Sequence, residues 1–106
     1  MDVLFRTTKL QKIANDKRKC QRTFGQDADS IMEHLSWLAA ARHLGEFQNQ
    51  PLQRMTGFHG LIGQEKGLYA LCPGYARRIV IKPIGKAAVL SEIFSIEIIV
   101  IEDYHS

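Results

Sequence analysis

The chain is poor in the features that define several large protein classes. Its 106 residues include only two cysteines, Cys20 and Cys72. Neither sits in a Cys-x-x-Cys pattern, and no His-x-His spacing accompanies them. That argues against a zinc site and against a disulfide-stapled secreted scaffold, and the expectation is two reduced thiols in a cytoplasmic protein. No apolar run approaches the roughly 18 residues of a membrane span. Met1-Asp2-Val3-Leu4-Phe5-Arg6 has no apolar stretch of signal-peptide length, so no membrane association is expected. Internal repeats and low-complexity tracts are missing, which excludes solenoids and linkers. No cofactor motif is present, and no metal or cofactor is expected.

What is present is globular. Apolar residues make up 45% of the chain and charged residues 24%, enough for a single domain spanning 1–106 with one core. The formal net charge is +3, but it is unevenly placed. Met1 to Phe24 carries seven cations against Asp2 and Asp16. A basic surface of that kind suits a polyanion or an acidic protein, and it also describes an ordinary solvated helix face.

Hydrophobic periodicity divides the chain in two. Asp2 to Arg6 reads as a short strand. Thr7 or Thr8 then caps a helix whose apolar stripe is Leu10, Ile13 and Ala14. The basic segment Lys17 to Arg22 reads as the frayed end of that helix or as a loop. Asp27 is placed to cap a longer helix ending at Gly45, with Ala28, Ile31, Met32, Leu35, Leu38 and Ala39 as its main buried face. Trp37, Ala40, Ala41 and Leu44 form a second stripe, suited to the first helix or to a partner. From Leu52 the period falls to two. Strands are expected at Leu52–Phe58, Leu68–Cys72 and Arg77–Lys82, with a type II turn at Pro73-Gly74. Two helices followed by antiparallel strands give an α+β domain, with the helices on one side of the sheet.

The final stretch, Ser95 to Ser106, is the most informative. Ile96 to Ile101 is β-branched except for Glu97, as in a strand paired on both sides. Strict alternation puts Ile96, Ile98, Val100, Glu102 and Tyr104 on one face. It puts Glu97, Ile99, Ile101, Asp103 and His105 on the other. Asp103 and His105 then lie roughly 7 Å apart on one side of a rigid element. That is either acid–base equipment or a polar terminus.

Taken together, the pattern resembles the RelE/HigB family of bacterial toxins, in its plasmid-maintenance killer-protein branch. The likeness runs through Phe5-Arg6, the long helix through Leu38-Ala39-Ala40-Ala41-Arg42-His43-Leu44, Gly67-Leu68-Tyr69-Ala70, Arg78-Ile79-Val80-Ile81, and the terminal Asp103-Tyr104-His105. The resemblance implies a RelE-like ribonuclease fold with two N-terminal helices on a mainly antiparallel sheet. It implies a metal-free endoribonuclease that cuts messenger RNA on the ribosome. It also implies neutralisation by a HigA-like helix-turn-helix antitoxin.

On that basis the catalytic candidates are His105, Asp103, Tyr104, Arg78 and His59. Imidazole titrates near 6.5 and can move a proton either way. Asp103 can orient His105 or act as base, and Tyr104 can stack on a base or donate a proton. The Arg78 guanidinium is the phosphate clamp. Lys82, Lys86, Lys66 and Arg77 are the RNA-binding candidates.

The sequence departs from the family at one informative point. HigB-type members carry Arg-Leu-His-x-Leu-Lys-Gly, where this chain has Arg54-Met55-Thr56-Gly57-Phe58-His59-Gly60. Thr56 stands at the family's histidine, and His59 at its lysine. Arg77 replaces the aromatic expected before Arg78. A second reading therefore keeps the fold as a binding module without cleavage.

Overall fold

The computed structural model describes residues 1–103. Tyr104 and His105, two of the catalytic candidates, lie outside the described residues. The chain opens with strand β1 (Asp2–Phe5), followed by helices α1 (Thr8–Ala14), α2 (Lys17–Phe24) and α3 (Ala28–Ala40). A short helix α4 (Leu52–Thr56) leads into strands β2 (His59–Gly60), β3 (Tyr69–Gly74), β4 (Arg77–Pro83) and β5 (Ser95–Asp103). The five strands form one sheet in the order β1-β5-β4-β3-β2. Among the described residues only the β1–β5 pair is parallel. β5 is thus an interior strand, as its β-branched run requires. The architecture is α+β, with helices against a mostly antiparallel sheet.

Local chemistry explains the helices. Thr7 caps α1 by accepting from the Leu10 amide at 3.1 Å. Asp16 caps α2 by accepting from the Lys19 amide at 3.1 Å. That cap makes Lys17–Phe24 a helix of its own rather than a frayed end or loop. Its two buried residues, Cys20 and Phe24, stand four apart and fix its inner face. Burial pushes the Cys20 thiol above its ordinary pKa, helped by the charge of Asp29, so it is an inert core residue.

Three expectations are corrected. Asp27 makes no capping bond to α3; its carboxylate instead pairs with Arg77 at 3.3 Å. α3 also stops at Ala40, and Gly45 lies in a 3₁₀ turn, Leu44–Gln48, whose Leu44 and Phe47 enter the core. Gly45 has a packing reason: a Cβ there would stand 2.9 Å from the Ser91 amide nitrogen. Leu52–Thr56 is helix, not strand. Thr56 returns its hydroxyl to the Leu52 carbonyl at 2.7 Å and accepts from the Phe58 amide, while Gly57 at φ +65° ends the turn.

The β3–β4 hairpin turns at Tyr75-Ala76, two residues later than expected. Pro73 and Gly74 remain in β3, where the pairing register shifts between Leu71 and Gly74. An irregularity is where a strand tolerates a residue without an amide hydrogen.

The most consequential correction is in β5. Val80 pairs with Val100 but Ile81 pairs with Ile98, so Ile99 is an extra residue, a bulge. The bulge breaks the strict alternation. Ile96, Ile98 and Ile101 all join the core with Leu71, Ile79 and Ile81. Val100 and Glu102 pair with Val80 and Arg78 and turn to the other face.

Candidate active site on the open sheet face

The helices cover one face of the sheet and leave the other open. The register assigns Arg78, Val80 and Lys82 of β4 to the open face, with Glu97, Val100 and Glu102 opposite them on β5. His59 on β2 pairs with Ala70 and shares that face at the sheet edge. Ala70 and Val80 are nevertheless almost fully buried and form an apolar floor beneath the charged side chains.

Arg78 is the centre of this face. Its Nε donates to Glu102 Oε2 at 2.5 Å, and its Nη2 lies 3.3 Å from Glu65 Oε2. Glu65 comes from the 3₁₀ turn Gly63–Glu65, bracketed by Gly63 and Gly67, both at positive φ. Partial burial works against the charged guanidinium. The bond and charge of Glu102, then the charge of Glu65, outweigh it, and the Arg78 pKa rises. A guanidinium so held is rotationally fixed, which suits a bidentate anion clamp.

The remaining candidates are sorted by position. Lys66 and Lys82 line one shallow cleft with Gly67, Tyr69 and Gly85. Lys86 is exposed on the following loop. His59 is exposed, and its Nδ1 lies 2.8 Å from the Gly57 carbonyl. In the neutral ring Nδ1–H donates there, leaving Nε2 as the proton acceptor. His59 stands two strands from Arg78, roughly 10 Å laterally. Arg77 is not brought to this group. It belongs to the helix face, paired with Asp27 and stacked 5.1 Å over the Phe24 ring. Asp103, opposite Arg77 in the register, belongs to that face too.

Two site residues were not legible as such. Glu102 shows its role only once the bulge sets it opposite Arg78. Glu65 carried no motif; its one signal is a carboxylate on a loop hinged by glycines. Among the described residues no group of three His, Cys, Asp or Glu is arranged to hold a metal ion. No helix among them is long and apolar enough to cross a membrane.

No family model matches the chain, and no curated protein matches it. Among solved structures it is similar to a YoeB/ParE toxin from Agrobacterium tumefaciens, with a TM-score of 0.59 over the whole of both chains. The fold is that of a YoeB/ParE toxin. At 14% identity the likeness lies in architecture and not in shared side chains. The Arg78 cluster therefore rests on its own geometry. Thr56, at the resembled family's histidine position, is fully buried with its hydroxyl engaged at both ends of a helical turn. It serves structure there, not proton transfer.

Proposed function

We propose that the protein is the toxin of a toxin–antitoxin pair and a metal-free messenger-RNA endoribonuclease, working on the open sheet face. The observation that carries this reading is Arg78, held by Glu102 on the exposed face of a toxin-fold sheet. The reaction is attack of a ribose 2′-oxygen on the adjacent phosphorus. The O2′–P bond forms, the P–O5′ bond breaks, the 2′-proton passes to a base and the 5′-oxygen takes one up. Arg78 supplies positive charge to the phosphorane oxygens. Lys82 and Lys66 guide the flanking phosphates. His105 and Tyr104 supply proton transfer at the end of β5, and His59 Nε2 is the alternative acceptor; Asp103, on the helix face with Arg77, takes no part at the Arg78 group. The partner is a HigA-like antitoxin, and the substrate is messenger RNA on the ribosome.

A second reading has its own support. The buried Thr56 removes one proton carrier of the resembled family, and Glu65 occupies the arginine that a phosphate needs. On that reading the chain binds RNA without cutting it. Induced expression of wild type beside Arg78→Ala and His105→Ala, with cellular RNA ends mapped, separates the two. New internal messenger-RNA ends in the wild type alone support the nuclease. Soluble wild type that produces neither arrest nor new ends overturns it.

A further inference from the structure

The open sheet face leaves a second charged surface unused. α1 and α2, residues 8–24, carry six cations, Lys9, Lys12, Lys17, Arg18, Lys19 and Arg22, against the single carboxylate of Asp16. That segment holds a net +5 in a chain of net +3, so everything else sums to −2. All six cations are exposed, and among the described residues none forms an ion pair. They are contiguous across the helix pair. The stems of Lys9, Lys12 and Lys19 line one hollow with Thr8 and the half-buried Ile13, and Arg18, Gln21 and Arg22 line another.

The placement carries a local cost. Lys17, Arg18 and Lys19 occupy the first turn of α2, at the positive end of its dipole, where the Asp16 cap is the single carboxylate. Arg18 and Arg22 are a like-charge pair one turn apart, and such pairs oppose helix formation. A face kept only for solubility has no need of this arrangement, since mixed charges serve that purpose.

We infer that this strip docks the phosphodiester backbone of an RNA duplex, at a site across the sheet from Arg78. The chemistry favours a backbone ligand over a protein. The exposed residues between the cations, Thr8, Gln11, Asn15, Gln21 and Thr23, are small or polar. No large hydrophobic residue is exposed anywhere on the pair. Protein interfaces need an apolar centre and are depleted in lysine. Single-stranded nucleic acid is held by exposed aromatics, which this strip lacks. Evenly spread cations without aromatics suit the regular phosphate rows of a duplex. The choice of RNA over DNA rests on the proposed nuclease reading; phosphate docking by the strip does not.

The test measures binding of a short blunt RNA duplex against salt concentration, in an Arg78→Ala background so that cleavage plays no part. Arg18→Gln/Arg22→Gln is compared with Arg42→Gln/Arg54→Gln, which has the same net charge. The first pair is expected to weaken binding by about tenfold or more at low salt. It should also cut the slope of log K against log salt by about 2, close to one unit per lost phosphate contact. The second pair leaves the slope unchanged. Arg18→Gln/Arg22→Gln removes the Arg18–Arg22 repulsion together with the attraction of Arg22 for Asp16, so its melting temperature should stay close to that of the parent, and lost binding at an unchanged melting temperature is not lost folding. Equal losses in the two pairs mean diffuse charge and overturn the site. Tighter binding of polyglutamate, or of single-stranded RNA, than of the duplex overturns the ligand class. Tighter binding of duplex DNA overturns the choice of RNA.

Discussion

At the residue scale, Arg78 and its two carboxylates behave unequally. Glu102 approaches along the strand pairing and is one-third exposed, whereas Glu65 is nearly half exposed on a glycine-hinged turn. Glu102 is therefore a fixed orienting group, and Glu65 is a displaceable one that competes with substrate phosphate. Arg78→Lys keeps the charge but loses the fork, and it should lower RNA cleavage about 10²–10³-fold with the melting temperature retained. Glu65→Gln should act in the opposite sense. It should tighten binding of a non-cleavable RNA up to about fivefold, the scale of one exposed ion pair. Fluorescence titration checks both the sign and the size.

His34 gives a second prediction at this scale. It is buried in α3 with Nδ1 2.8 Å from the Ser30 carbonyl, and its Nε2 has no partner among the described residues. Burial holds its pKa below the ordinary histidine value, against the raising effects of Ser30, Glu33 and Met55. The unfolded chain then binds a proton before the folded one does. This group's contribution is present above the unfolded pKa near 6.5 and declines as pH falls through that value toward the folded pKa. Urea midpoints should fall between pH 7.5 and pH 5.5, and His34→Phe should flatten the difference.

At the element scale, β5 decides the site. Because Ile99 is the extra residue, deleting it leaves Ile98 and Ile101 facing the helices and Glu102 opposite Arg78. The deletion variant should fold, losing no more than about 3 kcal/mol by chemical denaturation. Deleting Val80 from β4, the strand that carries no extra residue, should prevent folding, because it turns half that strand inside out. Gly45 is constrained by packing: Gly45→Ala drives a Cβ into the Ser91 backbone and should cost about 1–3 kcal/mol. The existence of β1, α1, α3, β3, β4 and β5 was legible from period and caps. The bulge was not. Ile98-Ile99-Val100-Ile101 is uniformly β-branched, so nothing in side-chain type marks which residue is extra. Leu52–Thr56 misled for a related reason: five residues cannot separate a period of two from one of 3.6. The helix was settled by the Thr56 hydroxyl and by Gly57.

At the scale of the whole molecule, one apolar cluster joins α2, α3, the Leu44–Gln48 turn and the inner face of the sheet. Leu38 lies fully buried within it. Leu38→Ala should remove about 2–5 kcal/mol and lower the denaturation midpoint without changing which residues occupy the open face. With the helices committed to this core, charge is divided between two surfaces. Arg78, Lys82 and Lys66 are interleaved with Glu65, Glu97 and Glu102 on the open side, whereas the α1–α2 cations stand almost alone.

The sequence by itself determined the class of the fold, the interior position of β5, a threonine cap at Thr7 or Thr8 and the basic character of the first 24 residues. Those depend on local periodicity, on side-chain oxygens next to free amides and on charge count, all short-range properties. It also singled out Arg78. Alternation along β4 already separated Arg78 from Arg77; tertiary structure alone decided that Glu102 stands opposite Arg78 and that Glu65 reaches the same guanidinium. The physical reason is that a strand has two faces, and one extra residue exchanges them. That residue is placed by pairing with β4, a partner nearly twenty positions away in the chain.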